Sequence, residues 1–137
     1  MTKCFENYIG GSWVEGADYI DNVNPSDTND VIGSYACASP EQLHEAVVAA
    51  RRAQPAWAAA TTQARSDVLG RISAEIIAKK DSLAELVSRE AGKTRAEAVG
   101  EVVRAAQIFH FFSGEAVRYG GEGVPSTRPN IAVQVMR

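Results

Sequence analysis

The sequence predicts an α/β fold, because an extended, turn-rich beginning gives way to capped periodic helices and then to an alternating terminal segment. Residues 1–38 contain short apolar runs separated by glycine, proline and asparagine, which is typical of a small antiparallel β arrangement. Residues 39–119 carry four segments with helical periodicity, and residues 131–137 alternate like a strand. With 137 residues, the chain is long enough for one domain with a core but not for two.

The extended part of the chain begins with a hairpin around the Gly10-Gly11 pair. Glycine adopts the positive φ angles of a two-residue hairpin turn without steric cost, and aromatic and branched residues flank the pair. A second strand is expected over residues 19–23, and it ends at residues 24–27, where proline, asparagine and aspartate favour a turn. Residues 31–36 then form another extended, apolar segment.

The first two helices are marked by a capping box and by apolar periodicity. Residues 39–42 form a capping box with proline at the first helical position, and Pro55 is expected to end this helix. The second helix is predicted from about Thr62 to Lys80. Its apolar stripe comprises Val68, Leu69, Ile72, Ile76 and Ile77.

The third and fourth helices are separated by a glycine. Asp81 is expected to cap the third helix, and Gly92 is expected to close it in the left-handed conformation. The predicted buried face of the third helix is Leu83, Leu86 and Val87. The fourth helix opens with a capping box at residues 94–97 and is predicted to continue to about Tyr119.

The terminal segment, residues 131–137, alternates apolar side chains between two faces and is predicted to be a strand. No partner strand is evident next to it in the sequence, so we expect a lone strand with an open apolar edge, which complete domains usually cover. The order of a β region, four helices and a lone strand indicates an interrupted domain.

Composition and charge exclude several classes of function. The formal net charge of −3 gives no electrostatic reason to expect nucleic acid or an anionic membrane as a partner. No apolar run approaches the ~20 residues that cross a bilayer, and the first residues lack the apolar stretch of a signal peptide, so a cytoplasmic location is expected. Cys4 and Cys37 are too isolated for a zinc site or a disulfide framework and are expected to be reduced structural thiols.

Two local motifs have simple structural interpretations. Residues 92–94, Gly-Lys-Thr, resemble the end of a phosphate-binding loop, but the glycine required five residues earlier is replaced by Val87. His44 and His110 have no second histidine or cysteine at the spacing of metal ligands, so no metal site is expected.

The fourth helix is predicted to be apolar on two sides, which is typical of a helix packed between layers or lining a cavity. Its main stripe is Val99, Val102, Val103, Ala106 and Phe109. At 100° per residue, a second face carries Gly100, Arg104, Ile108 and Phe111. An arginine on an apolar face is costly to desolvate unless an anion meets it. Arg104 is therefore expected either to extend to solvent or pair with Glu97 or Glu101, or to contact the carboxylate of a ligand.

The order and spacing of these segments resemble the opening of the aldehyde dehydrogenase family. The resemblance rests on a Tyr-Ile-Gly-Gly-x-Trp hairpin (Tyr8 to Trp13), Asn24-Pro25, Ile32-Gly33, a helix leading to Trp57, a helix from Arg65, Glu90 to Thr94, and the downstream acidic residues Glu97 and Glu101. Its collinearity along the whole chain is more specific than any one motif. Residues 24–28 and 108–115 are most similar to the α-ketoglutarate semialdehyde (2,5-dioxovalerate) dehydrogenase branch.

This resemblance implies that residues 1–130 form the N-terminal section of an NAD(P)-binding domain and that residues 131–137 begin an oligomerisation strand. It implies a homo-oligomeric parent enzyme that uses NAD or NADP to oxidise a small aldehyde to a carboxylate. An acidic semialdehyde such as α-ketoglutarate semialdehyde is the candidate substrate.

The family's catalytic and cofactor-binding motifs lie beyond this part of the protein. No catalytic or cofactor-binding residue is therefore expected in this chain, and the chain alone is expected to be inactive. In the family the fourth helix borders the substrate entrance, which makes Arg104 the candidate substrate-binding residue. The alternative is a small self-contained helical protein-interaction module, supported by four well-capped helices.

Overall fold

The computed structural model of the chain describes residues 3–118 and 120–135. Over these residues the α/β prediction is confirmed, with a β region followed by four helices and two further strands. The first strands are β1 (Cys4–Phe5), β2 (Asn7–Ile9), β3 (Ser12–Val14), β4 (Asp18–Val23) and β5 (Val31–Cys37). They are followed by α1 (Pro40–Ala59), α2 (Thr62–Ala78), α3 (Lys80–Ala91), α4 (Arg95–Arg118), β6 (Glu122–Pro125) and β7 (Ala132–Val135).

The β region consists of a hairpin and a separate three-stranded sheet. The hairpin pairs β2 with β3, and its glycines have the expected positive φ angles, 61° at Gly10 and 93° at Gly11. The sheet has the order β1-β5-β4, in which β4 is antiparallel but β1 is parallel to β5. The predicted antiparallel arrangement is therefore confirmed for the pairs β2–β3 and β4–β5, whereas the parallel strand β1 was not predicted. Strand β1 has only two residues, too few for periodicity, and it is held where Phe5 stacks on Tyr35 with ring centroids 4.8 Å apart.

Helix α1 begins as predicted but does not end at Pro55. The backbone N–H of Gln42 donates to Ser39 Oγ at 3.2 Å, and that of Ser39 donates to Gln42 Oε1 at 3.0 Å, which completes the capping box. The helix then continues through Pro55 to Ala59. Proline removes one backbone hydrogen bond near the end of the helix, and the alanines around it are the strongest helix formers, so the helix persists.

The core lies where α2 and α3 pack on α4, and it is built on small side chains. Ala84, Ala98 and Val102 form its buried cluster. Partly buried neighbours pack against this cluster: Ile76, Leu83, Val87 and Val99. Leu86 was predicted to be buried but is exposed, and Ile77 of the apolar stripe of α2 is exposed as well.

The start of α3 also differs from the prediction. The N-cap position is Lys79, which makes no side-chain cap, whereas Asp81 lies within the first turn. The aspartate therefore acts on this end of the helix through its negative charge near the exposed N–H groups, and its carboxylate also lies 3.8 Å from Arg95 Nη2 of α4.

The end of the described chain is a hairpin, so the expectation of a lone terminal strand was wrong. Strand β7 pairs antiparallel with β6, with Glu122 opposite Val135 and Pro125 opposite Ala132. Residues 122–125 contain a glycine and a proline, which are uncommon in strands. Pro125 lies at the end of β6, where a missing N–H is tolerated. Tyr119, the predicted end of α4, and the last two residues of the predicted strand lie outside the described residues.

The sheet is joined to the helices through charged side chains at the end of α3. Arg89 donates from Nε to Asp30 Oδ2 at 2.9 Å and from Nη2 to Asp30 Oδ1 at 2.6 Å, a bidentate ion pair. The next residue, Glu90, accepts a hydrogen bond from Asn22 Nδ2 at 2.9 Å. The hydrogen bond from Arg89, followed by one from the Asn24 side chain, lowers the pKa of Asp30 to about 2.

This ion pair makes the stability of the chain depend on pH. The pKa of Asp30 is lowered from 3.8 to about 2 on folding, so its contribution is fully present above pH 3.8 and is lost as the pH falls towards 2. We expect Arg89→Met to lower the urea midpoint at neutral pH, and the difference from wild type to shrink as the pH approaches 2.

Urea titrations followed by far-UV circular dichroism from neutral pH down to pH 2 measure this difference. Arg71→Met is the matched control, because Arg71 is exposed on α2 and forms no ion pair with the described residues. A constant difference between wild type and Arg89→Met at every pH would contradict the assignment.

Candidate functional site

Helix α4 presents one face to the core and the other to solvent. Val102 and Ala106 of the main apolar stripe are buried, as predicted. The second face is exposed throughout its length, with Ile108 44% and Phe111 58% accessible. The arrangement of this second face on one side of α4 is therefore as predicted, and Phe111 at its end also borders the cleft described below.

Arg104 lies exposed on this second face. Among the described residues its side chain forms no hydrogen bond and no ion pair. The two predicted partners have other contacts: the carboxylate of Glu101 binds Lys93 Nζ at 2.6 Å, and that of Glu97 accepts from Thr94 N at 3.0 Å. The predicted pairing of Arg104 with Glu97 or Glu101 was therefore wrong. The two carboxylates are bound instead by Thr94 and Lys93, which precede the helix.

The capping box at the start of α4 is confirmed. Thr94 Oγ1 donates to the Glu97 carboxylate at 2.7 Å, and the Glu97 backbone N–H donates back to Thr94 Oγ1 at 3.3 Å. The hydrogen bonds from the Thr94 side chain and backbone, together with the nearby Lys93, lower the pKa of Glu97. The same hydrogen bonds that form the cap therefore favour the charged form of the Glu97 carboxylate.

Gly92 and Lys93 connect two helices and do not form a phosphate-binding loop. Gly92 closes α3 in the left-handed conformation, with φ of 62°, and its N–H donates to the carbonyl of Ser88. A Cβ at this position would lie 2.9 Å from Pro25 Cγ and from Ser26 Oγ, so only glycine fits here without displacing the turn.

The reactive side chains of the described residues are dispersed. Cys4 is exposed and Cys37 is half-buried, and both are free thiols. His44 and His110 are exposed on separate helices. Across residues 3–118 and 120–135, no three histidine, cysteine or acidic residues are grouped so as to hold a metal ion. Within the same ranges no helix is both long and apolar enough to cross a membrane.

A cleft of about 590 Å³ between the helices was not predicted. Its lining residues are Trp57, Arg65, Leu69, Phe111, Phe112, Glu115 and Ala116. The sequence carries each of these residues, but only the packing of α2 on α4 brings them together with the end of α1. The local signals near the end of α4 were the adjacent phenylalanines and the predicted second apolar face, to which Phe111 belongs.

Comparison with known proteins relates the whole arrangement to one family. The aldehyde dehydrogenase family model matches residues 13–137. An α-ketoglutarate semialdehyde dehydrogenase from Haloferax volcanii is 34% identical over 95% of this chain, and a glutarate-semialdehyde dehydrogenase from Pseudomonas putida is 36% identical over 95%. This chain spans 27% of the length of each of these relatives. The solved NAD-dependent aldehyde dehydrogenase from Sinorhizobium meliloti superposes with a TM-score of 0.87 at 27% identity, covering 99% of this chain and 28% of that one.

The cap on α4 fixes the start of the helix that carries Arg104, and its loss is measurable. We expect Thr94→Ala to lower the free energy of unfolding by about 1 kcal/mol, because the N-cap hydroxyl is removed. Thr94→Ser keeps the hydroxyl and is the matched control. Equal urea midpoints for the alanine and serine variants would show that Thr94 does not cap α4.

Proposed function

The chain belongs to the aldehyde dehydrogenase family, and we propose that it is the N-terminal part of a longer NAD- or NADP-dependent enzyme that oxidises an aldehyde to a carboxylate. The observation that carries the proposal is the match of residues 13–137 to the aldehyde dehydrogenase family. The chain spans only about a quarter of the length of its relatives in that family. This match favours the enzyme over the self-contained helical interaction module.

We propose an acidic semialdehyde as the substrate. The Haloferax volcanii and Pseudomonas putida relatives are dehydrogenases for α-ketoglutarate and glutarate semialdehydes, which carry a carboxylate besides the aldehyde. Arg104 offers a guanidinium that no described carboxylate neutralises, on a face that also carries Ile108 and Phe111. A planar guanidinium binds a carboxylate through two parallel hydrogen bonds, so this face suits an acid with a short apolar chain.

The cofactor is proposed as NAD or NADP on the same grounds. One solved relative is a betaine aldehyde dehydrogenase from Staphylococcus aureus in complex with NAD+, 30% identical over 96% of this chain. The reaction implied by family membership needs a thiolate nucleophile and a hydride acceptor. We place the residues for both in the remaining part of the enzyme, so that residues 1–130 contribute to the cofactor domain as scaffold. The thiols of Cys4 and Cys37 are not proposed as nucleophiles.

The β6–β7 hairpin is proposed to begin the oligomerisation region of a homo-oligomeric enzyme. Strand β7 has only β6 as a partner within the described residues, and its apolar side chains are exposed. An exposed apolar strand edge is a surface that another strand covers in a complete assembly. A cytoplasmic location remains a prediction.

We expect the 137-residue chain to be inactive by itself, because the proposed nucleophile and cofactor site lie elsewhere. Purified chain incubated with NAD+ or NADP+ and a panel of aldehydes should give no absorbance of reduced cofactor above the blank. Cofactor reduction that disappears in Cys37→Ser would place the nucleophile in this chain and contradict the proposal.

The role of Arg104 is testable in the full-length enzyme. We expect Arg104→Met to lower kcat/KM for α-ketoglutarate semialdehyde by about 10-fold, the lower end of what a charged hydrogen bond contributes. An uncharged aldehyde of similar size should be nearly unaffected, since methionine keeps much of the length and removes only the charge.

The measured quantity is the ratio of the two specificity constants in wild type and variant. Arg71→Met, on a different helix, serves as the control and should leave the ratio unchanged. If Arg104→Met lowers both constants equally, or lowers neither, Arg104 does not bind the acid group and its role as a substrate residue is withdrawn.

A further inference from the structure

Strand β1 covers one edge of β5 through a short stretch of backbone pairing. Its register places Cys4 opposite Ser34 and Phe5 opposite Tyr35. The backbone N–H of Ser34 also donates to the carbonyl of Lys3 at 3.0 Å. Strand β4, by contrast, pairs with the other edge of β5 along its whole length. The sheet therefore has one long paired edge and one edge that is covered by a short strap, formed by Lys3 and β1.

The strap fits against β5 because residue 33 is a glycine. A Cβ at Gly33 would lie 2.6 Å from Phe5 Cε2 and 3.1 Å from the carbonyl oxygen of Lys3. The Phe5 ring is not free to swing aside, since it stacks on the Tyr35 ring with an interplanar angle of 11°. On the same Phe5 ring, Lys3 Nζ lies 4.8 Å from the centroid. Gly33 therefore forms a slot that holds both the ring and the backbone of the strap.

The segment that follows the strap has contacts of its own. The β2–β3 hairpin is tied to the start of α1, where Gln42 Nε2 donates to the carbonyl of Glu15 at 2.7 Å. Just beyond it, the N–H of Ala17 donates to the carbonyl of Cys37 at 2.9 Å, at the end of β5. The strap can therefore leave β5 by breaking its own contacts while the hairpin, β4 and β5 stay in place.

We propose that this strap opens and closes on the edge of β5 while the rest of the sheet stays folded, and that the slot at Gly33 allows it to close. Segments with few contacts open at a lower free energy than the whole domain. When the strap is closed, it pairs backbone groups of β5 that an open edge would present to other strands. The proposal concerns a conformational change alone and does not depend on the substrate or the reaction.

The amide hydrogen of Ser34 reports the state of the strap, because its acceptor is the carbonyl of Lys3. Hydrogen–deuterium exchange of the isotope-labelled chain, followed by NMR, measures its rate beside those of the β4 amides bonded to β5. A chain in which one methionine replaces residues 1–6 has no strap and gives the Ser34 rate of an open edge. In the wild type, Ser34 should exchange more slowly than in the truncated chain but faster than the β4 amides.

Single substitutions test the slot. Gly33→Ala should speed exchange at Ser34 by about 10-fold, because the added methyl group overpacks the slot. Phe5→Leu should speed it by about 5-fold, because the stacked aromatic pair is lost. Gly70→Ala on α2 is the matched control, since a Cβ there meets no neighbouring atom within 4 Å. It should leave the Ser34 rate unchanged.

Several outcomes would overturn the proposal. In the wild type, a Ser34 rate equal to that of the β4 amides would show that the strap does not open by itself. A wild-type rate equal to that of the truncated chain would show that the strap does not close. An unchanged Ser34 rate in Gly33→Ala would remove the role of the slot. If Gly33→Ala also loses protection in β4, an unchanged Ser34 rate in Phe5→Leu overturns the proposed hold on the strap.

Discussion

The sheet of β1, β5 and β4 reaches the helices through the last turn of α3. There Arg89 forms an ion pair with Asp30, at the end of the turn between β4 and β5. Glu90 accepts a hydrogen bond from Asn22, near the end of β4. Gly92, two residues further, must pass close to Pro25 in the same turn. The connection between α3 and α4 is thus held against the β turn, and the packing of α4 on α2 and α3 sets the rest of its orientation.

The hydrophobic core between the helices is small. Its buried apolar members are Ala84, Ala98, Val102 and Ala106. Ser73, a buried polar residue beside them, donates from its hydroxyl to the Ala106 carbonyl at 2.8 Å. Alanine lets two helices approach closely but removes little apolar area from water. Many large apolar side chains remain at the surface, which fits a chain that spans 27% of its relatives.

Features that depend on a few neighbouring residues could be predicted from the sequence, and those that depend on distant partners could not. The two capping boxes, the glycines of the first hairpin and the left-handed Gly92 follow from the chemistry of consecutive residues. The parallel pairing of β1 and the ion pair of Lys93 with Glu101 depend on where separate segments lie in space. The cleft was missed for the same reason, since Arg65 and Phe111 are brought together only by the packing of α2 on α4.

Family membership and site chemistry answer different questions about this chain. The family describes a reaction, whereas Arg104 offers a cation beside the exposed apolar side chains of Ile108 and Phe111, and no group of residues that could hold a metal ion is found among the described residues. Such residues can select a ligand without taking part in bond breaking, because selection needs only a charge and a shape that differ between competing molecules. If the proposed function holds, a substitution at Arg104 is therefore expected to change which molecule is bound without changing the chemical step.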